Sequence, residues 1–249
     1  MATHITLNPS FENLRPFITK LPETFSRSGE ILYQGRNEIR VIEKEGIRLN
    51  IKEFRTPIFP NRIIYHLLRP TKAQRAYEYA FRLKQANFNT PEPIAFVVTR
   101  YWGLLGKCYF VSRQVDYPRR FYEFGTEPLE GKENIVRDFG FFTAQLHQAG
   151  IYHKDYSPGN ILFDIKEGKA EFCLVDINRM EFGTVHLKKG CRNFARLWGK
   201  KPFFQIIAET YAQGRHFDPE ECLNQILKYR RKFWIQYLRR KPAKFELDL

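Results

Sequence analysis

Asp155 and Asn160 stand five positions apart in the run His153-Lys154-Asp155-Tyr156-Ser157-Pro158-Gly159-Asn160. A carboxylate and an amide at that separation are the pair that phosphoryl transfer requires. The carboxylate accepts the proton of an attacking hydroxyl, and the amide holds a magnesium ion against the departing phosphates. An ordinary turn would use the same residue types, with Asp155 and Asn160 capping backbone groups around the Pro158-Gly159 bend. The surroundings favour chemistry. Before the run, Ile135, Phe139, Phe142 and Leu146 repeat at helical spacing from Lys132 to Ala149, and after it comes the apolar stretch Ile161-Leu162-Phe163.

Asp176 adds a second carboxylate. It closes the strand pattern Phe172 to Val175, which reads as the second arm of a hairpin around Lys166-Glu167-Gly168. A carboxylate just after a buried strand, beside Asp155 and Asn160, can join Asn160 in holding magnesium; the plainer reading is a strand-end cap. Upstream, Lys52 sits in Leu49-Asn50-Ile51-Lys52, the third of three short antiparallel strands at 31–33, 39–42 and 47–51. A strand lysine with an apolar footing can aim its ammonium at phosphate oxygens. Glu78 is the acidic residue of a helix expected from Pro70-Thr71 to about Ala86, and so the natural partner for Lys52. The alternative is a solvated glutamate balancing Arg75 or Arg82. The turn Gly35-Arg36-Asn37 is poor in glycine, so backbone amides and Arg36 would hold nucleotide phosphates there.

These residues need a scaffold. Residues 9 to 22 predict a short leading helix or turn, broken by Pro16 and Pro22. Strands at 94–99 and 107–112 flank a Trp102-Gly103-Leu104 turn and complete an expected five-stranded antiparallel sheet with one helix. Residues 113–117 read as a hinge and 118–130 as a linker or short helix, while 62–68 carries no assignment. The class is therefore α+β: one domain over 1–249, with an N-lobe of about 1–112 and a mainly helical C-lobe of about 118–249.

Composition agrees with a folded chain, since 43% of 249 residues are hydrophobic and 16% aromatic. The net charge of +14 favours an anionic partner. Cys108, Cys173, Cys191 and Cys222 are too scattered for a zinc site or a disulfide framework, which suits a reducing compartment. The first residues lack the basic start and apolar run of a secretory signal, and no stretch is long enough to span a bilayer.

The order Lys52, Glu78, Asp155, Asn160, Asp176 resembles the protein-kinase-like superfamily, whose catalytic loop reads His-x-Asp-x-x-x-x-Asn. It is most similar to the lipopolysaccharide core kinases of the Kdo and heptose type. There an aspartate followed shortly by an arginine, here Asp176-Ile177-Asn178-Arg179, replaces Asp-Phe-Gly. The resemblance covers about residues 30 to 185. It implies ATP and Mg2+ as cofactors, Asp155 as base, Asn160 and Asp176 as metal ligands and Lys52 as the phosphate contact. The implied acceptor is a sugar hydroxyl of the lipopolysaccharide inner core, Kdo of Kdo-lipid A.

Several departures bear on the acceptor. No Ala-Pro-Glu follows Asp176, which argues against a peptide substrate. Ser157 stands where many protein kinases have a lysine, and Lys154 is the nearest cation to replace it. Ser157-Pro158-Gly159-Asn160 also resembles choline and aminoglycoside phosphotransferases, the alternative small-molecule reading; a silent pseudokinase acting as a binding module is the other. Charge separates them. Lys188, Lys189, Arg192, Arg196, Lys200 and Lys201 lie in a stretch without acids from Val185 to Ala208. Lys228, Arg230, Arg231, Lys232, Arg239, Arg240, Lys241 and Lys244 form a second basic group beyond the cap Asp218-Pro219. These predict a surface resting on anionic lipid at the inner face of the inner membrane of a Gram-negative bacterium, with an anionic glycolipid as partner. They match no nucleic-acid motif, so no nucleic-acid partner is expected.

Overall fold

The computed structural model describes residues 2–56, 70–102 and 104–249. The unassigned segment 62–68, together with Pro57, Pro60 and the Gly103 of the expected turn, lies outside the described residues. The chain forms two compact units. One runs to Asp116 and takes in Ile177–Arg179; the other holds Tyr117–Asp176 and Met180–Leu249.

The first unit is built on a six-stranded antiparallel sheet in the order β1-β5-β6-β4-β3-β2, with β1 at Ala2–Leu7, β2 at Glu30–Gln34, β3 at Glu38–Lys44, β4 at Ile47–Phe54, β5 at Pro93–Tyr101 and β6 at Leu104–Arg113. The expectation of five strands is corrected by β1, which pairs with β5 from Ala2↔Arg100 to Leu7↔Ala95. Its alternation is weak, and only the partner strand makes it a strand.

Side-chain period two then gives the sheet two apolar faces. Leu49, Ile51, Tyr109 and Val111 pack with Ile18 and Leu21 of helix α1, Arg15–Thr24. Phe54, Phe96, Val98 and Phe110 pack with Ala73, Ala76 and Tyr77 of helix α2, Lys72–Gln85. Thr71 caps α2, its hydroxyl oxygen accepting from the Gln74 amide at 3.1 Å. The turn Ile177–Arg179 packs against α2 within this unit.

The second unit is mainly helical. After the two-residue strand β7 (Arg119–Arg120) and the single turn α3 (Glu123–Thr126), helix α4 (Glu133–Gln148) packs on α6 (Lys201–Arg215), and α6 packs on α7 (Pro219–Leu238). Between them lie β8 (Ile151–His153), β9 (Ile161–Lys166), β10 (Lys169–Leu174), β11 (Met180–Phe182) and helix α5 (Leu187–Asn193). Strand β9 pairs with β10 and β7, and β8 pairs with β11. Gly140 admits the α4–α6 contact, because a Cβ there would collide with the Thr210 hydroxyl. The centre is aromatic: the Phe121 ring centre lies 4.1 Å from that of Phe139 in a tilted pair, with Phe163, Phe172 and Phe203 around it.

Helix α6 has no counterpart in the sequence expectations. Its signals are present, with Pro202 in the first turn and Phe203, Phe204, Ile207 and Tyr211 on one buried face. Helix α7 begins at the expected cap, with the Asp218 carboxylate accepting from the Glu221 amide at 2.7 Å.

Candidate functional site

The Asp155 loop begins where α4 ends. Gly150, at φ 73°, ends the helix in the left-handed region, and its carbonyl accepts from the Gly183 amide at 2.8 Å. A Cβ at Gly150 would lie 3.1 Å from the Gly183 carbonyl oxygen, so a side chain there would be both strained in φ and tightly packed. Met180 pairs with His153, which joins β11 to the strand entering the loop.

His153 is fully buried and pins two chain segments. Its Nδ1 accepts from the Asp155 amide at 3.1 Å, which leaves the proton on Nε2, 3.1 Å from the Val175 carbonyl. Burial pushes the imidazole below its usual range and keeps it neutral. The loop then folds around the Asp155 carbonyl, which accepts from the Ser157 amide at 2.8 Å and from Asn160 Nδ2 at 2.8 Å. Tyr156, buried against Phe139, donates to the Thr143 hydroxyl at 2.9 Å, and that hydroxyl donates to the Phe139 carbonyl.

Asp176 follows directly on Val175, whose amide donates to the Asn160 carbonyl at 3.0 Å. Val175 is thus held on one side by Asn160 and on the other by His153, and both tie Asp176 to the loop. Asp176 adopts φ 54°, a conformation that costs free energy for a residue with a side chain and recurs at functional positions. With its amide nitrogen engaged, Asn160 offers its amide oxygen. An amide oxygen and a carboxylate are the hard donors magnesium prefers, so this pair fits the ion.

One residue missed at the sequence level bears directly on Asp155. Arg196 makes an ion pair from Nη1 to Asp155 Oδ1, across 41 residues. Lys154, expected as the replacement cation, is exposed and pairs with Glu181 Oε1 at 2.5 Å, while Lys189 takes the other oxygen at 3.2 Å. The charge beside Asp155 therefore comes from Arg196. Only a folded chain shows this, because in sequence Arg196 is one of many cations.

In the first unit, Lys52 lies on the α2-bearing face of the sheet, opposite Ile39 and Phe110, with Nζ 5.2 Å from the centre of the Phe54 ring. Glu78 is on the exposed side of α2, and its Oε1 accepts from Gln74 Nε2 at 2.9 Å. Gly35, Arg36 and Asn37 form the exposed β2–β3 turn. There the Gly35 amide donates to the Asn37 carbonyl at 3.1 Å, and Asn37 Oδ1 accepts from the Arg55 amide at 3.3 Å.

The basic groups also sort differently from expectation. Arg230 is 2% exposed, donates to the Gly199 carbonyl at 2.8 Å, pairs with Asp248 and lies over Phe204, so it is a structural arginine and no part of a basic surface. All four cysteines are buried. Among the described residues, no helix is long and apolar enough to cross a membrane.

An antiparallel sheet with a helix packed on each face, and a helical unit carrying a His-x-Asp-x-x-x-x-Asn loop, make the protein-kinase-like fold. Comparison with solved structures agrees. WaaP in complex with acyl carrier protein is similar at TM-score 0.66 and 14% identity, over 94% of this chain and 99% of that one. The microcompartment-associated aminopropanol kinase is similar at 0.52 and 12%, over 91% of each. The description "Lipopolysaccharide kinase (Kdo/WaaP) family" matches residues 30–210, and the chain belongs to that family. It is a kinase, a phosphotransferase acting on sugar hydroxyls. No curated protein matches it in sequence.

Proposed function

We propose that the protein transfers the γ-phosphate of ATP to a sugar hydroxyl of the lipopolysaccharide inner core, with Kdo of Kdo-lipid A as the acceptor. The observation that carries this reading is the pinned loop around Asp155, in which His153, Asn160 and Val175 fix the base beside an amide and a second carboxylate. The acceptor oxygen bonds the γ-phosphorus as the bond from phosphorus to the β–γ bridging oxygen breaks. The hydroxyl proton passes to Asp155, and ADP departs. Lys52 contacts the phosphates and the turn at Gly35, Arg36 and Asn37 covers them; Glu78, exposed and bonded to Gln74, is given no part in the transfer. Asn160 and Asp176 would hold Mg2+, which supplies charge neutralisation at the phosphates.

Peripheral contact with the inner face of the inner membrane belongs to the same proposal. The end of α7 supports it: Ile235 and Leu238 are 41% and 45% exposed, and Arg231, Lys232, Arg239 and Arg240 accompany them.

The test is transfer of label from γ-labelled ATP with magnesium to Kdo-lipid A, with wild type beside Asp155→Ala. Label in the glycolipid from wild type and none from the variant is the expected result. Label that persists in the variant removes Asp155 as the base. Label that passes instead to a soluble aminoalcohol replaces the acceptor.

A further inference from the structure

A cavity of about 350 Å3 lies within the second unit, lined by Lys154 and Tyr156, the chain neighbours of Asp155, and by its partner Arg196; this volume falls in the ~300–1,000 Å3 range of small-molecule sites. Four cations line it, Lys154, Arg192, Arg196 and Lys232. Two lie over rings: the Arg192 guanidinium is 4.8 Å from the centre of Tyr229, and that of Arg196 is 5.3 Å from the centre of Phe233. A guanidinium over a ring face still has N–H groups to offer an oxyanion; in Arg196 one of them is taken by Asp155.

The charges around the cavity do not cancel. Glu181 is shared by Lys154 and Lys189. Asp155 is met by Arg196. Among the described residues, Arg192 and Lys232 have no carboxylate partner. Such a cavity repels a cationic acceptor and gives a neutral sugar no use for its cations. Its chemistry is that of a site for an oxyanion.

We propose that this cavity takes an acidic group, a carboxylate or a phosphate monoester, carried by the sugar acceptor, and that Arg196 couples its occupancy to Asp155. The proposal rests on the reading of Asp155 as the general base. The guanidinium covers Oδ1, where a hydroxyl proton would be received. An entering anion competes for Arg196 and uncovers that oxygen as the acceptor hydroxyl arrives. Arg192 and Lys232 determine specificity; Arg196 is a positioning residue. The arrangement would also suppress loss of ATP to water when no acceptor is bound.

The first measurement is calorimetric binding, without ATP, of three probes to the full chain: the methyl glycoside of Kdo, its carboxylate methyl ester, and glucose 6-phosphate. Arg192→Ala and Lys232→Ala are run beside wild type, with the urea midpoint as a check on folding. The expectation is that an acidic sugar binds, that the ester binds about tenfold or more weakly, and that each variant loses about tenfold. The stronger of the two acidic probes identifies the anion as carboxylate or phosphate. An ester bound as well as the acid, variants bound as well as wild type, or no acidic probe bound at all would overturn the subsite.

The coupling has its own readout. In Arg196→Gln, phosphate release from ATP without acceptor rises several-fold while the acceptor KM rises, and Arg196→Lys returns both toward wild type. A parallel fall of the two activities would mean that Arg196 only supports the fold. Failure of the reading of Asp155 as the base looks different, because Asp155→Ala would then leave transfer intact whatever the binding data show.

Discussion

The loop at 153–160 and the turn at 35–37 are both proposed to serve phosphate chemistry, and they are built in opposite ways. The loop is tied by a buried imidazole, an asparagine amide and a tyrosine hydroxyl, so Asp155 has few alternative positions. The turn joins two strands of which β2 is exposed along its whole length, with a register shift between Ile31 and Tyr33, and it holds itself by few bonds. The contrast separates two tasks. Proton transfer tolerates little displacement, whereas covering a nucleotide requires a segment that can move aside.

The largest effect should come from the rigid side. Asp155→Asn keeps shape and removes the proposed proton acceptor, so kcat should fall by about 10²–10⁴ with a thermal midpoint near that of wild type. Steady-state kinetics and a thermal melt on one preparation check both. A large shift of the melt with a small loss of rate would make Asp155 a structural residue that keeps the loop folded through Arg196.

The second effect concerns the anchors behind the loop. His147 is buried, its Nδ1 2.9 Å from the Tyr211 hydroxyl and its Nε2 2.9 Å from Asn193 Oδ1, while Asn193 Nδ2 donates to the His153 carbonyl at 2.8 Å. Burial pushes the imidazole down from 6.5 to about 3. An unfolded histidine binds a proton below pH 6.5, and the folded one does so only near pH 3, so the unfolded state gains as pH falls through that window. At about 1.4 kcal/mol per pH unit, the group removes about 2 kcal/mol of stability between pH 6.5 and 5. His153, also pushed down by burial, acts in the same direction. Urea midpoints at the two pH values measure the loss. His147→Gln should be less stable at neutral pH and show a flatter profile, and an unchanged slope would place the acid sensitivity elsewhere.

On the soft side, Arg36→Ala should raise the KM for ATP by a few-fold at nearly constant kcat. An exposed cation at a turn contributes about 1 kcal/mol or less. A loss of kcat as large as that of Asp155→Asn would erase the distinction between the two regions.

Legibility in the sequence follows the same division. The loop could be read because its partners are close along the chain: Asp155, Ser157 and Asn160 bond to one another, and the helix and strands flanking them carry clear periods. Helix α2 was legible from Thr71 and its apolar face, and β4 from its alternation. What stayed hidden depends on distant partners. Arg196 reaches Asp155, and Arg230 reaches Gly199 and Asp248, yet both look in sequence like members of a basic surface. Strand β1 has little pattern without β5. Helix α6 had a readable face, but its neighbouring charges drew attention to the surface instead.

Glu78 gives the smallest expected effect and the sharpest test of how far motif order can be trusted. Resemblance makes it the partner of Lys52, but its side chain is exposed and bonds one helical turn back to Gln74. A helix pair at that spacing is worth about 0.2–0.5 kcal/mol, which is about a twofold change in an equilibrium. Glu78→Gln can still accept from or donate to Gln74, so stability and kcat should both stay within about twofold of wild type. Lys52→Ala, which removes a proposed phosphate contact, should lower kcat/KM for ATP far more. If Glu78→Gln loses activity as Lys52→Ala does, and the double variant loses no more than either, the two side chains act as a unit and α2 must reorient when nucleotide binds. If the single losses multiply, Glu78 belongs to the helix surface and Lys52 works without it.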